Sequence, residues 1–288
     1  MPNAENKIDF GFADLIISMV AILSIGCCLP VLAKSEVTST PPLIKKSINS
    51  GSHLIKTFPA AGGLTGYLLQ TGPREFLTAY TVPGHDDVVI VGSLLDQTGS
   101  DLSEKYKSTY SPKFDLNKFI NRISSSSYIK EGGAGDEAKS IVYAFFDPNC
   151  VYCHLLWRQL LPYQKIGLAV KWIPVGIIKP DSRGKAGALI EAKNQSAAFY
   201  AMESKFSTKD ESGAIAPKNN LSKETEIKIS SNEKLFYDLG FKGTPALIYR
   251  ASGGGFRYFQ GLPKSSQLPE ITNLPAQEID DSDLKKIK

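Results

Sequence analysis

Ile141-Val-Tyr-Ala-Phe-Phe-Asp-Pro-Asn-Cys150-Val-Tyr-Cys153-His-Leu-Leu-Trp157 is the stretch on which the fold turns. The unbroken apolar run from Ile141 to Phe146 predicts a buried strand, Asp147-Pro148 ends it, and a Cys-x-x-Cys pair opens a helix. That helix is expected over about 150–161, stopped or kinked at Pro162. A thiol in the first turn of a helix lies beside unpaired backbone N–H groups at the positive end of the helix dipole, and both favour the thiolate. Cys150 is thus the candidate nucleophile. Cys153 is one turn deeper on the same face, placed to close a disulfide with it and to act as the resolving thiol.

Working outward, the other cysteines fall in the first 33 residues. Leu15 to Ala33 carries no charge, and Val31-Leu-Ala33 before Lys34 offers small residues where a signal peptidase cuts. The expectation is a cleaved secretory signal over 1–33, which removes Cys27 and Cys28. The acidic n-region and the length of the apolar span leave an uncleaved anchor as the alternative, or a lipid on Cys27. Each of these readings places the rest of the chain outside the cytoplasm. An exported chain left with two cysteines two residues apart has no disulfide framework, because a bridge closing so small a loop constrains almost nothing. The pair reads as reactive.

Composition agrees with an ordinary globular protein: 288 residues, 42% hydrophobic and 22% charged, with a formal charge of +4. The length admits two domains. A mild excess of charge with no basic stripe argues against nucleic-acid binding.

After a polar lead and a short helix at Leu43 to Ser50, four strand-like runs follow at 53–58, 64–70, 75–81 and 87–93, separated by Gly- and Pro-containing turns. They predict a small antiparallel sheet, marginal by itself on surface-to-volume grounds and so expected to pair with something. Gln97 to Ser111 reads as a polar connection. From Phe114, the spacing of Leu116, Phe119, Ile120 and Ile123 predicts a linker helix ending in Ser124-Ser-Ser-Ser127. Downstream of the redox helix come a strand at Leu168 to Val175 and a helical insert from Arg183 to about Leu239, with 209–221 a loop and a last helix capped near Asn232. A hairpin at 246–260 and a closing helix at about 264–272 complete the pattern. The polar, charged tail 273–288 reads as disordered. The boundaries are therefore 1–33 signal, 34–100 N-terminal domain, 101–130 linker and 131–272 redox domain with its insert at 183–239.

Three readings compete for Cys150-Val-Tyr-Cys153-His154: redox exchange, covalent haem attachment, for which Cys-x-x-Cys-His is the motif, and half of a zinc site. Zinc lacks further ligands once 1–33 is gone, and haem attachment sits poorly after a buried strand. The strand-then-helix setting favours redox exchange, with no cofactor and no metal. Val151 and Tyr152, lying between the cysteines, adjust the redox poise. His154 reads either as a positive charge supporting the thiolate or as an exposed helix residue. Asp147 reads as a strand terminator or as a tuner of the cysteine. Trp157 and Trp172 read as core. Thr244-Pro245 is open between a plain proline at the start of an edge strand and a cis proline whose preceding backbone meets a substrate.

With these residues in hand, the sequence resembles the periplasmic thiol:disulfide interchange proteins of the DsbC and DsbG type, DsbG above all. The resemblance rests on Ile55-Lys-Thr-Phe58 with Gly62-Gly-Leu-Thr-Gly-Tyr67, Phe146-Asp-Pro-Asn-Cys-Val-Tyr-Cys153, Val175-Gly-Ile-Ile-Lys-Pro180, Ser231-Asn-Glu-Lys-Leu235, Thr244-Pro-Ala246 and Gly261-Leu-Pro263. It covers almost the whole chain after residue 33. It implies an α+β protein: a thioredoxin-like catalytic domain with a helical insert, joined by a linker helix to an N-terminal cystatin-like dimerisation domain. It further implies a V-shaped homodimer with the redox pairs facing a central cleft, a cis Pro245 with Thr244 contacting substrate, and a membrane reductase of the DsbD type as redox partner. One departure is Val151, where the DsbG type carries proline, so the family's redox poise does not transfer.

The expected function is periplasmic disulfide isomerisation and reduction on unfolded or misoxidised exported proteins, extending to sulfenic acids, with chaperone-like binding in the dimer cleft. The alternatives are a net thiol oxidant and a chaperone whose cysteines are secondary.

Overall fold

Two β-sheets organise the chain, and the redox motif lies in the second. The structure is a computed structural model that describes residues 40–133, 138–279 and 284. The expected signal or anchor segment, with Cys27 and Cys28, lies outside the described residues. Within them, Pro41 onward forms one compact unit.

The first sheet is an antiparallel meander of β1 (His53–Pro59), β2 (Thr65–Gly72), β3 (Glu75–Val82) and β4 (His85–Val91) in that order. Helix α1 (Pro42–Asn49) contributes Ile44 to one face, where Tyr67, Leu69 and Ala79 meet it. The other face, Phe58, Leu68 and Tyr80, is covered by a helix in the stretch expected to be a polar connection. That helix is α2 (Leu102–Tyr110), with Asp101 as N-cap accepting from the Glu104 N–H; Tyr110 stacks on Phe58 and Tyr106 packs tilted against it. A cap of this kind is worth about 1 kcal/mol. The rest of the helix's stability comes from burying its tyrosine side.

The predicted linker helix is broken up. Leu116–Phe119 is a 3₁₀ turn and only α3 (Ile120–Ser124) is α-helical. The apolar spacing there marks a face that packs: Leu116 and Ile123 are buried in the second sheet's core.

That second sheet has the order β5-β7-β6-β8-β9: β5 (Ile129–Gly132), β7 (Leu168–Pro174), β6 (Ser140–Phe146), β8 (Ala246–Arg250) and β9 (Phe256–Gln260). β6 and β7 are parallel, joined by α4 (Val151–Lys165), and the remaining pairs are antiparallel. β6 reads as a continuous apolar run because both of its faces are covered. Val142, Ala144 and Phe146 pack with α4, whereas Tyr143 and Phe145 face the opposite cluster with Phe236 and Phe241. α4 runs through Pro162 instead of stopping there. The local cost of an interior proline, about 3 kcal/mol, is outweighed by Leu160 and Tyr163, which flank it fully enclosed in the core.

The insert is α5 (Ser182–Ile190), α6 (Gln195–Ser204) and α7 (Lys223–Asp238). α7 starts at the Ser222 cap, ten residues before the expected Asn232, which is buried in mid-helix and donates to the carbonyls of Ser127 and Pro174. α8 (Leu268–Thr272) closes the domain. The tail corrects the expectation of disorder as far as residue 279: Leu274 is buried, Ile279 packs on the core, and the Gln277 N–H donates to the Tyr163 hydroxyl.

Arg74, at the tip of the β2–β3 hairpin, ties the first sheet to the second. Its guanidinium lies 4.6 Å from the Phe114 ring centre and 4.5 Å from that of Tyr258, and it donates to the Leu239 carbonyl and the Tyr258 hydroxyl. Gly240, with φ +73°, leaves room for the Arg74 chain that a Cβ would strike at 2.8 Å.

Candidate active site

Cys150 is the N-cap of α4. Its sulfur takes the place usually held by a serine or aspartate oxygen, accepting the Cys153 N–H at 3.2 Å. The turn that delivers it closes with the Cys150 N–H on the Asp147 carbonyl at 2.9 Å. Both thiols are free. Cys153 is the more deeply set, at 1% exposure, and Cys150, the candidate nucleophile, is itself only 4% exposed. The covering group is the loop before β8, where Thr244-Pro245 is a cis peptide and the Thr244 carbonyl accepts from the Cys150 thiol at 3.3 Å. The two residues lie 94 positions apart in the chain, and β6–β8 pairing brings them together.

The electrostatics of the two sulfurs diverge. A hydrogen bond from the Cys153 thiol pulls the Cys150 thiol below its ordinary value against the cost of burial, aided by the Thr244 hydroxyl and the Cys153 N–H, while the nearby Asp147 carboxylate opposes it. Cys153 is pushed well above the ordinary range, first by burial and then by its bond to Cys150 and the charge there. One thiol is held ready to ionise and the other holds its proton. With both thiols protonated the buried Thr244 hydroxyl is otherwise unpartnered among the described residues, so its support is directed to the Cys150 thiolate.

The flanking candidates resolve individually. Tyr152 projects outward at 56% exposure, and Val151 opens the helix half-buried. His154 is not an exposed helix residue: it is buried, its Nδ1 lies 2.9 Å from Glu203 Oε2, and its ring stacks on Phe206. Burial raises the Glu203 carboxyl, with the His154 hydrogen bond opposing. Asp147 is enclosed, and its carboxylate accepts four hydrogen bonds, from the N–H groups of Asn149, Ile177 and Ile178 and the Ser182 hydroxyl. It is therefore more than a strand terminator. Trp157 and Trp172 are core as expected, with both indoles donating to the buried Glu131.

Ser182, Lys185, Glu131 and Glu203 belong to no motif, and Asn149, though inside the 146–153 motif, gave no sign there of its role. Lys185 leaves a trace in the sequence, a lone charge within Gly184-Lys-Ala-Gly-Ala-Leu-Ile190. Among the described residues no cluster of three or more His, Cys, Asp or Glu side chains is placed to hold a metal ion, and no helix is long and apolar enough to cross a membrane. Chemically, the arrangement supplies a buried dithiol with one thiol predisposed to attack and a second placed to displace whatever the first has captured.

Residues 133–273 match the thioredoxin-like domain family. The chain is 28% identical over 256 residues to the thiol:disulfide interchange protein DsbG of Pseudomonas aeruginosa, an alignment covering 87% of this chain and 96% of that protein. It is 31% identical over 246 residues to DsbG of Escherichia coli, covering 83% and 93% respectively. Among solved structures, the catalytic domain of Proteus mirabilis ScsC aligns at 20% identity with a TM-score of 0.43, over 55% of this chain and 94% of that one.

Proposed function

The chain belongs to the DsbG-type thiol:disulfide interchange proteins, and from that premise we propose that its exchange chemistry runs through Cys150 as nucleophile and Cys153 as resolving thiol. It is a thiol:disulfide oxidoreductase and isomerase with a thioredoxin-like redox domain. The observation that carries the assignment of roles is the Cys150 sulfur at the N-terminus of α4, accepting the Cys153 N–H at 3.2 Å.

The Cys150 thiolate attacks one sulfur of a substrate disulfide, forming a mixed disulfide and releasing the other substrate sulfur as a thiolate. Cys153, once deprotonated, attacks the Cys150 sulfur of that bond. The substrate leaves with both sulfurs reduced, and the two electrons it has gained leave the protein with a Cys150–Cys153 disulfide. If a substrate thiol resolves the intermediate instead, the substrate is reshuffled with no net electron transfer. A sulfenic acid enters the same way, losing its oxygen as water. Thr244 and Pro245 meet the substrate backbone beside the sulfur, and Tyr152 and Val151 form the rim. His154 and Asp147 act by holding α4 and its leading turn.

The setting proposed is the periplasm, with exported, misoxidised proteins as substrates and a DsbD-type membrane reductase restoring the dithiol. The first sheet with α1 and α2 forms the dimerisation domain, which α2 extends past the expected boundary at 100 to Tyr110, and 111–128 is the connection, since β5 from Ile129 belongs to the second sheet. β4 supports pairing with a second copy, because it is an edge strand whose Val88, Ile90 and Val91 are exposed, and such an edge is ordinarily covered. Two copies then enclose a cleft that holds a partly folded chain.

Alkylation of the protein in growing cells tests the direction of exchange. Cys150 and Cys153 are expected to be trapped as free thiols, becoming a disulfide when the membrane reductase is removed. A pair found oxidised with that reductase present would make the protein a net oxidant and overturn the assignment.

A further inference from the structure

The turn Asp147-Pro148-Asn149 leads from β6 straight into Cys150, and all three residues are gripped by the helical insert and the loop before it. The Asp147 carboxylate binds the N–H groups of Ile177 and Ile178 and the Ser182 hydroxyl. The Pro148 carbonyl accepts the Gly213 N–H at 2.9 Å, an approach so close that a Cβ on Gly213 would lie 2.5 Å from that oxygen. The Asn149 amide donates to Asp181 Oδ1 and Ser182 Oγ.

Lys185 joins these contacts. It is a charged side chain at 4% exposure, and a buried ammonium is tolerated only where its protons are all bound. Its Nζ donates to Asn149 Oδ1 at 2.8 Å, Ser212 Oγ at 2.6 Å and the Gly213 carbonyl at 3.2 Å, and lies 3.2 Å from Asp181 Oδ2. It thereby holds Asn149 directly and Pro148 through Gly213.

We propose that Lys185 is a positioning residue for thiol exchange, fixing through Asn149 and Gly213 the turn that sets the Cys150 sulfur over the first turn of α4. This rests on Cys150 being the attacking thiol. Lys185 does not touch the reacting atoms. Its role follows from where its bonds end: Asn149 precedes Cys150 directly, and the Cys153 N–H reaches the sulfur only while the N-cap geometry holds. Asp147 and Cys153 are the titratable groups that shift Cys150, and removing the ammonium leaves the Asp181 carboxylate, which also accepts from the Asn149 amide, without its cation.

The test is the pH profile of iodoacetamide reaction with the reduced full-length protein, with the modified residue identified by peptide mass. Lys185→Met is expected to move the Cys150 half-point upward by about half a pH unit to one unit, and to slow alkylation and disulfide exchange at pH 6 about three- to tenfold. Lys185→Arg, which retains the charge and donors, is expected to recover part of the shift. Asn149→Ala, which cuts the link and leaves the ammonium, is expected to shift the profile in the same direction by less. Ile229→Ala, in the α5–α7 core away from the turn, loosens the insert and is expected to leave the profile in place.

A folded Lys185→Met protein with the wild-type profile and exchange rate would overturn the proposal, as would an equal shift in Ile229→Ala. If Lys185→Met does not fold, an unshifted Asn149→Ala profile overturns it. Wild-type reaction at Cys153 instead of Cys150 would defeat the nucleophile assignment, which is a different failure.

Discussion

Replacing Cys150 with serine is expected to lower disulfide reduction and isomerisation about a thousandfold or more, leaving the fold intact. A hydroxyl at this position can still accept the Cys153 N–H as an ordinary helix cap, so the first turn of α4 keeps its partner. It does not ionise near neutral pH and forms no disulfide, so the step that makes the mixed disulfide is lost rather than slowed by misplacement. Reduction of insulin and refolding of scrambled ribonuclease measure the two activities, and thermal unfolding checks the fold. Retention of more than a few per cent of either activity would assign the attack to another group.

The second large effect is expected from Cys153→Ser. Serine can donate a hydrogen bond to the Cys150 sulfur in place of the thiol that holds the Cys150 pKa down, so attack is preserved while resolution is removed. Mixed disulfides between Cys150 and substrates should accumulate, visible as reducible adducts on non-reducing gels. Net reduction of insulin should fall about a hundredfold, and isomerisation, which a substrate thiol can complete, should fall much less. Equal loss of both activities without adducts would show that Cys153 does something other than displace the captured substrate.

Local pattern made the heart of this fold legible. The apolar run 141–146, the Asp-Pro break and the cysteine at a helix start all lie within a few residues of one another, and the structure places them as read. Errors arose where distant contacts override local signals. Asn232 resembles a cap, yet it sits mid-helix because its amide reaches Ser127 and Pro174, far away in sequence. Pro162 looks like a stop, but the core packing of its neighbours carries the helix past it. Helix α2 had a signal that polar composition concealed: Asp101 with Glu104 three residues on is a start signature, and Tyr106 and Tyr110 share one face.

The site divides in the same way. Cys150 and Cys153 declare themselves by spacing. Thr244 comes to Cys150 only through pairing of β6 with β8, which no local pattern reports; the resemblance, not periodicity, pointed to it. The polar groups around Asp147 and Lys185 come from segments dozens of residues apart, and what unites them is the requirement that buried charges be bonded. That requirement becomes visible once the chain is folded. His154 shows the converse: a helix position that looks exposed is buried when α6 brings Glu203 against it.

Titrating the two thiolates of the reduced protein by ultraviolet absorbance, with parallel alkylation to identify each, bears most directly on the division of labour between them. The sulfur at the helix cap should ionise below an ordinary cysteine, and the exchange rate should fall about tenfold for each pH unit beneath that midpoint. The deeper sulfur should stay protonated to well above the ordinary range. Two thiols titrating together at the value of free cysteine, or Cys153 ionising first, would contradict the assignment of attack to Cys150.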